Sequence, residues 1–102
     1  MKMSYYDRAN NAFMKAYGRF DVTFDYGKGV YLYDKDGKRY LDFYSGIGVN
    51  SFGYDYKPYV DAMTDQLHRL MHISNYFNSV EAIEAAEAVI KATKLNQVFF
   101  TN

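Results

Sequence analysis

Apolar side chains recur every third or fourth residue in three stretches of the chain, and this spacing predicts three amphipathic helices. The predicted helices cover residues 4–17, 58–71 and 78–94. In the first helix, Ser4 is expected as the N-cap and Gly18 fits the position just past the last turn. In the second, Pro58 suits the first turn, and in the third, Asn78 followed by Glu81 has the spacing of a capping box.

Between the first two helices, apolar and aromatic residues alternate with polar ones, which is typical of half-buried strands. The alternation predicts three short strands, at residues 22–24, 30–34 and 39–43. Residues 25–29 are expected to form the first connection and residues 35–38 the second, which contains Asp36-Gly37, a strong hairpin signal. We therefore expect an antiparallel three-stranded meander.

The alternation stops inside residues 40–53, where a loop follows the third strand. This loop holds three glycines and three apolar side chains: Gly46, Gly48 and Gly53, with Ile47, Val49 and Phe52. Glycine is the usual residue where a backbone turns tightly or approaches a ligand closely. The apolar side chains need a cover, which packing under a neighbouring helix, a second subunit or a small molecule could each provide.

Length and charge narrow the classes of function. At 102 residues the chain has the size of one small domain, and its 49% hydrophobic content is that of a globular protein. Twelve basic and twelve acidic residues give no net charge, which disfavours nucleic acid or an anionic membrane as a partner. No apolar run reaches the roughly 18 residues of a membrane span, the N-terminus lacks a signal-peptide core and no cysteine occurs, so we expect a cytoplasmic protein.

Two spacings superficially resemble metal sites. Asp34 and Asp36 have positions typical of a calcium loop, but Ser45 falls at the twelfth position, where such a loop needs a glutamate. His68 and His72 have the i,i+4 spacing of a zinc helix, but the intervening glutamate and a third ligand are missing. The sequence therefore predicts turn and structural roles for these residues and no metal site.

Aromatic content is high for the length of the chain, with twelve tyrosines and eight phenylalanines. Each aromatic side chain buries about 150 to 250 Å², and a small fold has limited interior for so many. An apolar segment at residues 97–101 is also predicted to be a strand, whose backbone groups need partners that the chain does not contain. We therefore expect self-association or another partner to cover some of these surfaces.

Four motifs occur in order along the chain. They are Tyr17-Gly18-Arg19-Phe20, GVYLYDKDGKRYLDFYSGIGVNSFG at residues 29–53, HISNYF at residues 72–77 and VFFTN at residues 98–102. With these motifs the chain resembles the N-terminal portion of the acetylornithine aminotransferases, within the class III family of enzymes dependent on pyridoxal phosphate (PLP). The resemblance covers essentially all 102 residues with the same spacing, and several linked motifs are more specific than any one alone.

The resemblance implies an α+β fragment of a fold type I PLP transferase, with an N-terminal helix, a three-stranded antiparallel meander, two further helices and the start of a large-domain strand. Residues 1–55 would form the N-terminal segment of the small domain, and residues 56–102 would begin the PLP-binding large domain. In relatives, a phosphate-binding loop follows the positions of Thr101 and Asn102, so these two residues are expected only to flank the cofactor.

The residues that carry the chemistry in such enzymes lie further downstream. They are the lysine of the Schiff base, the aspartate beside the pyridine nitrogen and the arginine that takes the substrate carboxylate. We therefore assign no catalytic residue to this chain, and we expect the isolated chain to be inactive and to hold no PLP.

The resemblance also implies which residues face the substrate. These are Tyr17 and Arg19 before the meander, and Ile47 and Gly48 in the loop. The aliphatic Ile47, instead of an aromatic residue, resembles the acetylornithine branch more than the ornithine branch. For Tyr17 the alternative is a packing role, in which its ring closes the first helix onto the meander.

A second group is assigned to a homodimer interface near the partner's cofactor: His72, Ser74, Asn75 and Tyr76. The alternative is that these residues simply cap the second helix. The chain also departs from the family pattern, because Gly53-Tyr54-Asp55-Tyr56-Lys57-Pro58 stands where Gly-His-x-His-Pro is usual, and Asp21 stands where proline is common.

For the parent enzyme, the resemblance implies transfer of the δ-amino group of N-acetylornithine to 2-oxoglutarate in arginine biosynthesis. The expected partners are thus small amino-acid and 2-oxo-acid substrates and a second subunit. Within the family, an ornithine, succinylornithine or 4-aminobutyrate aminotransferase is the alternative. Outside enzymes, the alternative is a non-catalytic, self-associating module.

Overall fold

The computed structural model describes residues 2–101, which form three helices and one three-stranded sheet. In chain order the elements are α1 (Tyr5–Ala12), β1 (Phe24–Lys28), β2 (Tyr31–Asp34), β3 (Arg39–Leu41), α2 (Lys57–Arg69) and α3 (Val80–Thr93). The strands lie in sequence order, and both neighbouring pairs are antiparallel. The predicted α+β class and the meander are therefore confirmed.

Helix α1 begins where the sequence predicts but ends earlier. Ser4 is the N-cap, and its hydroxyl accepts a hydrogen bond from the amide of Asp7 at 3.1 Å. The helix ends at Ala12, because Phe13 adopts an extended conformation with φ −97° and ψ 144°. Two adjacent asparagines weaken the last turn, since asparagine is a poor helix former. The prediction of a helix over residues 4–17 is wrong in its C-terminal part.

Strand β1 lies further along the chain than the predicted strand at residues 22–24. Most of the segment assigned to the first connection is strand, and the turn consists of Gly29 and Val30, with φ +58° at the glycine. A two-residue hairpin turn favours such a left-handed residue. Across the pair, the ring of Tyr26 stacks on that of Tyr33 with centroids 4.5 Å apart. This cross-strand contact, which forms only when the strands pair, stabilises the observed register.

The second hairpin follows the prediction and is organised by one carboxylate. Oδ1 of Asp34 accepts hydrogen bonds from the amides of Asp36 at 3.0 Å and Lys38 at 2.8 Å. Oδ2 accepts a bond from the Tyr40 hydroxyl at 2.9 Å. Partial burial acts to raise the pKa of Asp34, but these hydrogen bonds outweigh it and the pKa is lowered. The predicted turn role of Asp34 is confirmed.

Helix α2 agrees closely with the prediction for residues 58–71. It begins at Lys57, one residue before Pro58, which therefore lies in the first turn. The ammonium group of Lys57 lies 2.6 Å from the carboxylate of Asp61 at the predicted i,i+4 spacing. At the other end, the side-chain amide of Gln66 donates to the carbonyl of Leu70 at 2.9 Å. The last turn of α2 is thus closed from within the helix.

Helix α3 has a different N-cap from the one predicted. The hydroxyl of Ser79 accepts a hydrogen bond from the amide of Ala82 at 3.2 Å, so the prediction of a capping box starting at Asn78 is wrong by one residue. Both residue types cap helices well, and only the path of the backbone decides between neighbours. The helix ends at Thr93, and Lys94 is its C-cap, with φ +60° and an amide that donates to the carbonyl of Ile90.

Residues 97–101 belong to no strand in the described part of the chain. The strand predicted there is therefore absent from these residues, because strand structure exists only through pairing with a neighbouring strand. The sheet formed by β1, β2 and β3 does not include this segment.

Burial is shallow throughout residues 2–101, where no side chain is fully buried. Phe20, Phe43 and Tyr76 are more than 90% exposed. The chain divides into two compact units, Met1–Ala62 and Met63–Asn102, and the division falls within α2. In the described part of the chain, no helix is long and apolar enough to cross a membrane.

Candidate functional site

The loop after β3 contains a left-handed turn, formed by four consecutive residues with positive φ. The φ angles are +50° at Ser45, +59° at Gly46, +60° at Ile47 and +82° at Gly48. Such values suit glycine but cost free energy elsewhere, and a β-branched residue like isoleucine adopts them least readily. Backbone strain of this kind concentrates at functional sites, so the turn at residues 45–48 is the first candidate site.

The turn leaves its apolar side chain open to solvent. Ile47 is 84% exposed, and Val49 in the same loop is 82% exposed. The amide of Ile47 donates to the carbonyl of Tyr44 at 2.8 Å, and the hydroxyl of Ser51 donates to the carbonyl of Gly48 at 2.7 Å. Two of the predicted substrate residues, Ile47 and Gly48, therefore lie side by side in a turn with an accessible apolar tip.

A carboxylate beneath the turn holds its N-terminal side. Oδ1 of Asp42 accepts hydrogen bonds from the amides of Tyr44 at 2.8 Å and Ser45 at 3.0 Å. Oδ2 accepts a bond of 2.7 Å from the hydroxyl of Tyr54. The Tyr54 bond is the largest cause of a lowered pKa at Asp42, and the same bond is the largest cause of a raised pKa at Tyr54. Asp42 is thus held as a carboxylate and Tyr54 as a neutral phenol.

Tyr54 is in turn fixed to the first hairpin. Its amide donates to the carbonyl of Gly29 at 2.7 Å, and the amide of Gly29 donates to the carbonyl of Tyr54 at 2.9 Å. Its ring lies directly on Gly27, where an added Cβ would come within 2.3 Å of the ring carbon Cγ. A glycine inside a strand often marks such a close approach. The hairpin of β1 and β2 therefore positions the tyrosine, and the tyrosine contacts Asp42, which binds the amide of Ser45 at the start of the turn.

The other predicted substrate pair lies in the segment between α1 and β1. The guanidinium carbon of Arg19 is 4.7 Å from the centroid of the Tyr17 ring and 4.8 Å from that of Phe13. Both contacts have cation–π geometry and hold the guanidinium near two rings. The Tyr17 ring is 69% exposed, so it contacts Arg19 without being packed into an interior.

Arg19 also lines a groove of about 370 Å³ in the first unit, next to α1 and the start of β1. Neither Ile47 nor Gly48 lines this groove. The structure thus brings the members of each predicted substrate pair together, and the groove does not join the two pairs.

The predicted interface residues lie between α2 and α3, in the second unit. His72 and Asn75 line a groove of about 470 Å³ with an apolar wall. Ser74 organises a turn, because its hydroxyl accepts the amide of Tyr76 at 3.3 Å and its carbonyl accepts the amide of Phe77 at 2.9 Å. Tyr76 is 94% exposed. The side-chain amide of Gln66 donates to the carbonyl of Leu70, just past α2, and the hydrogen bonds of Ser74 stay within its own turn.

A family model described as "Aminotransferase class-III" matches residues 12–102, which is most of the chain. The chain belongs to the class-III aminotransferases. The predicted family is therefore confirmed.

Among relatives of this class-III aminotransferase chain, the acetylornithine aminotransferase of Clostridium acetobutylicum is 46% identical over 89 residues. That match covers 87% of this chain and 23% of the relative. The solved N-acetylornithine aminotransferase of Stenotrophomonas maltophilia is 27% identical, with a TM-score of 0.82 over 94% of this chain and 25% of that one. The PMP-bound form of an aminotransferase from Vibrio fluvialis is 28% identical, with a TM-score of 0.86 over 100% of this chain and 25% of that one.

These matches confirm that the fold is part of a fold type I aminotransferase. The chain spans about a quarter of the length of the relatives it matches.

Class-III aminotransferases depend on PLP, which is held through a lysine that must lose its proton to react. Two of the lysines are instead paired with carboxylates at the surface. A hydrogen bond of 2.7 Å to Asp25 raises the pKa of Lys35, and Lys57 forms an ion pair with Asp61. Thr101 is exposed, and Asn102 lies outside the described residues. We therefore assign no step of the PLP-dependent reaction to Lys35, Lys57, Thr101 or Asn102.

Sequence reasoning missed the residues that support the turn. The sequence places Asp42 in a strand, Gly27 in a connection and Tyr54 in a segment that departs from the family pattern, yet the structure joins them through hydrogen bonds and ring packing. One signal was available, because a glycine in a stretch of strand-forming residues indicates a close backbone approach. The partner of that glycine is 27 residues away, and a local pattern does not reveal it.

Proposed function

We propose that this chain is the N-terminal part of an aminotransferase that transfers the δ-amino group of N-acetylornithine to 2-oxoglutarate, in arginine biosynthesis. The observation that carries the proposal is the 46% identity to the acetylornithine aminotransferase of C. acetobutylicum over 87% of the chain. PLP, when bound in the complete enzyme, supplies the electron sink for transamination. The PMP-bound relative from V. fluvialis supports this cofactor.

The contribution of this chain is on the substrate side. The exposed tip at Ile47 is a small apolar surface suited to the acyl group of the substrate, and Gly48 leaves the backbone beside it uncovered. The guanidinium of Arg19, held near Tyr17, is a donor that suits a substrate carboxylate. In this proposal Ile47 makes an apolar contact with the acyl group of the substrate, and Arg19 makes a charged contact with its carboxylate.

The remaining residues act in assembly and at the edge of the cofactor site. We assign His72, Ser74, Asn75 and Tyr76 to the interface of a homodimer, supported by the exposure of Tyr76 and the apolar groove beside His72. Residues 1–55 belong in this proposal to the small domain and residues 56–102 to the large domain. Thr101 and Asn102 flank the segment that holds the cofactor phosphate.

Replacing Ile47 by tyrosine in the complete enzyme tests the substrate assignment. A ring at the tip fills space that an N-acyl group would occupy, so Ile47→Tyr should lower kcat/KM for N-acetylornithine relative to ornithine. The expected change in the ratio corresponds to about 1 to 3 kcal/mol, or roughly 10- to 200-fold. Both substrates are measured on one preparation, because a general loss of activity reports only damaged folding.

Val49→Tyr is the matched control, because Val49 is similarly exposed and lies two residues away in the same loop. It should leave the ratio near that of the wild type. An unchanged ratio in an active Ile47→Tyr enzyme would make Ile47 a packing residue. A wild-type enzyme that prefers ornithine, succinylornithine or 4-aminobutyrate would transfer the assignment to another branch, and one without turnover would favour the non-catalytic module.

A further inference from the structure

We propose that Tyr54 is a positioning residue, whose hydroxyl group acts through Asp42 to hold the left-handed turn at residues 45–48 in the conformation that presents Ile47. The last step, presentation of Ile47 to a substrate, rests on the proposed function. The hydrogen bonds that hold the turn are independent of it.

The turn requires something to hold it, because its own backbone favours other conformations. Ser45 and Ile47 carry side chains at φ +50° and +60°, in a region that residues other than glycine rarely adopt. Strain of this kind persists only where the surrounding structure enforces it. Ile47 is 84% exposed, so packing of its side chain does not provide that enforcement.

The hydroxyl of Tyr54 connects both sides of the turn. It donates to Oδ2 of Asp42 at 2.7 Å, and Oδ1 of the same carboxylate binds the amides of Tyr44 and Ser45 on the N-terminal side. It accepts a bond of 3.3 Å from the side-chain amide of Asn50 on the C-terminal side. The amide of Asn50 also donates to the carbonyl of Ser45 at 2.9 Å, which closes the loop. A single phenol oxygen is therefore the common partner of the two sides.

Tyr54 is suited to this role because its own position is set elsewhere. Two backbone hydrogen bonds join it to Gly29, and its ring rests on Gly27. These contacts belong to the hairpin of β1 and β2 and do not involve the hydroxyl. Removing the oxygen alone should thus loosen the support of the turn while leaving the tyrosine ring and the hairpin in place.

The test uses the complete enzyme with Tyr54→Phe, which removes only that oxygen. Tyr56→Phe is the matched control, because the Tyr56 ring stacks on Phe52 at 5.3 Å and its hydroxyl makes no hydrogen bond with the described residues. In Tyr54→Phe, the amides of Tyr44 and Ser45 should exchange with solvent about tenfold faster, as expected on losing a bond to a charged group. The kcat/KM ratio of N-acetylornithine to ornithine should fall about tenfold, while Tyr56→Phe changes neither quantity.

A double-variant cycle separates positioning from a general structural effect. If Tyr54 acts through Asp42, then adding Tyr54→Phe to Asp42→Ala should change the substrate ratio far less than the tenfold seen in Tyr54→Phe alone, because only the 3.3 Å bond to Asn50 is left to lose. An equal further fall in the Asp42→Ala background would overturn the proposal. The proposal would also be overturned if the amides of Tyr44 and Ser45 exchanged in Tyr54→Phe at the wild-type rate. Faster exchange of these amides with an unchanged kcat/KM ratio would overturn it as well. A wild-type enzyme inactive on both substrates would instead refute the proposed function, and amide exchange would still decide whether Tyr54 holds the turn.

Discussion

At the scale of single residues, Gly27 shows how one missing side chain permits a long-range contact. It lies inside β1, where glycine is normally unfavourable, yet the ring of Tyr54 occupies the space in which a Cβ would stand. An added Cβ would lie 2.3 Å from Cγ and 2.6 Å from Cδ1 of that ring. The added Cβ would also lie 2.7 Å from Cβ of Tyr54, whose backbone is bonded to Gly29, so relief of the overlap requires that backbone to shift or the ring to leave Asp42. The hydrogen-bond network under the turn therefore depends on Gly27.

We predict that Gly27→Ala destabilises the complete enzyme by about 1 to 3 kcal/mol, the usual cost of an overpacked contact. Gly18→Ala is the control, because nothing lies within 4 Å of its added Cβ. Alanine reduces the conformational freedom of the unfolded chain, so the stability of this variant should be unchanged or slightly higher. Denaturant unfolding of both variants checks the prediction. Equal midpoints for the two variants would show that the ring of Tyr54 does not rest on Gly27.

At the scale of elements, the start of α3 depends on one hydroxyl. The side chain of Ser79 satisfies the amide of Ala82, one of the four amides that a helix leaves without an internal partner. Asn78 precedes it directly and is an equally good capping residue by type. Substitutions at these two neighbours therefore distinguish the effect of backbone position on helix capping from the effect of residue type.

We predict that Ser79→Ala lowers the stability of α3 by about 1 kcal/mol, whereas Asn78→Ala leaves it nearly unchanged. Circular dichroism of peptides that span residues 77–96 measures the helix content directly, and an unmodified peptide provides the reference. A larger loss of helicity in Asn78→Ala than in Ser79→Ala would restore the capping box expected from the sequence.

At the scale of the whole molecule, the exposed apolar surface is the dominant feature. No side chain in the described part of the chain is fully buried. The exposed set includes large apolar residues in both compact units: Phe20, Phe43, Ile47, Phe52, Tyr76, Phe77 and Phe99. Soluble monomers rarely leave so much apolar surface open to water. The remaining three quarters of the length of the relatives is a natural source of cover, as is a second copy of the chain.

We predict that the 102-residue chain on its own self-associates, because burial of apolar surface favours association when no other cover is present. Sedimentation velocity at several concentrations should show a mean mass that rises with concentration. A variant with Ile47→Asp and Val49→Asp should associate less, since it places charge on the exposed loop. A clean monomer up to high micromolar concentration would contradict the prediction.

The sequence by itself determined the class of elements, their order and the family. Helical spacing predicts α2 within two residues at each end, and the Asp-Gly turn predicts the hairpin of β2 and β3, because both signals depend on residues close together in the chain. Linked motifs in order predict the aminotransferase family for the same reason, since each motif is a short local pattern and the spacing between motifs is read directly from the sequence.

Only the tertiary structure decided the register of β1 and the support of the candidate site. The position of β1 depends on pairing with β2 and on the contact of Gly27 with Tyr54, which lies 27 residues away. The hydrogen bond from the Tyr54 hydroxyl to the Asp42 carboxylate likewise joins residues 12 positions apart. Such contacts depend on how the chain folds back on itself, and local propensity carries no information about which distant groups then meet.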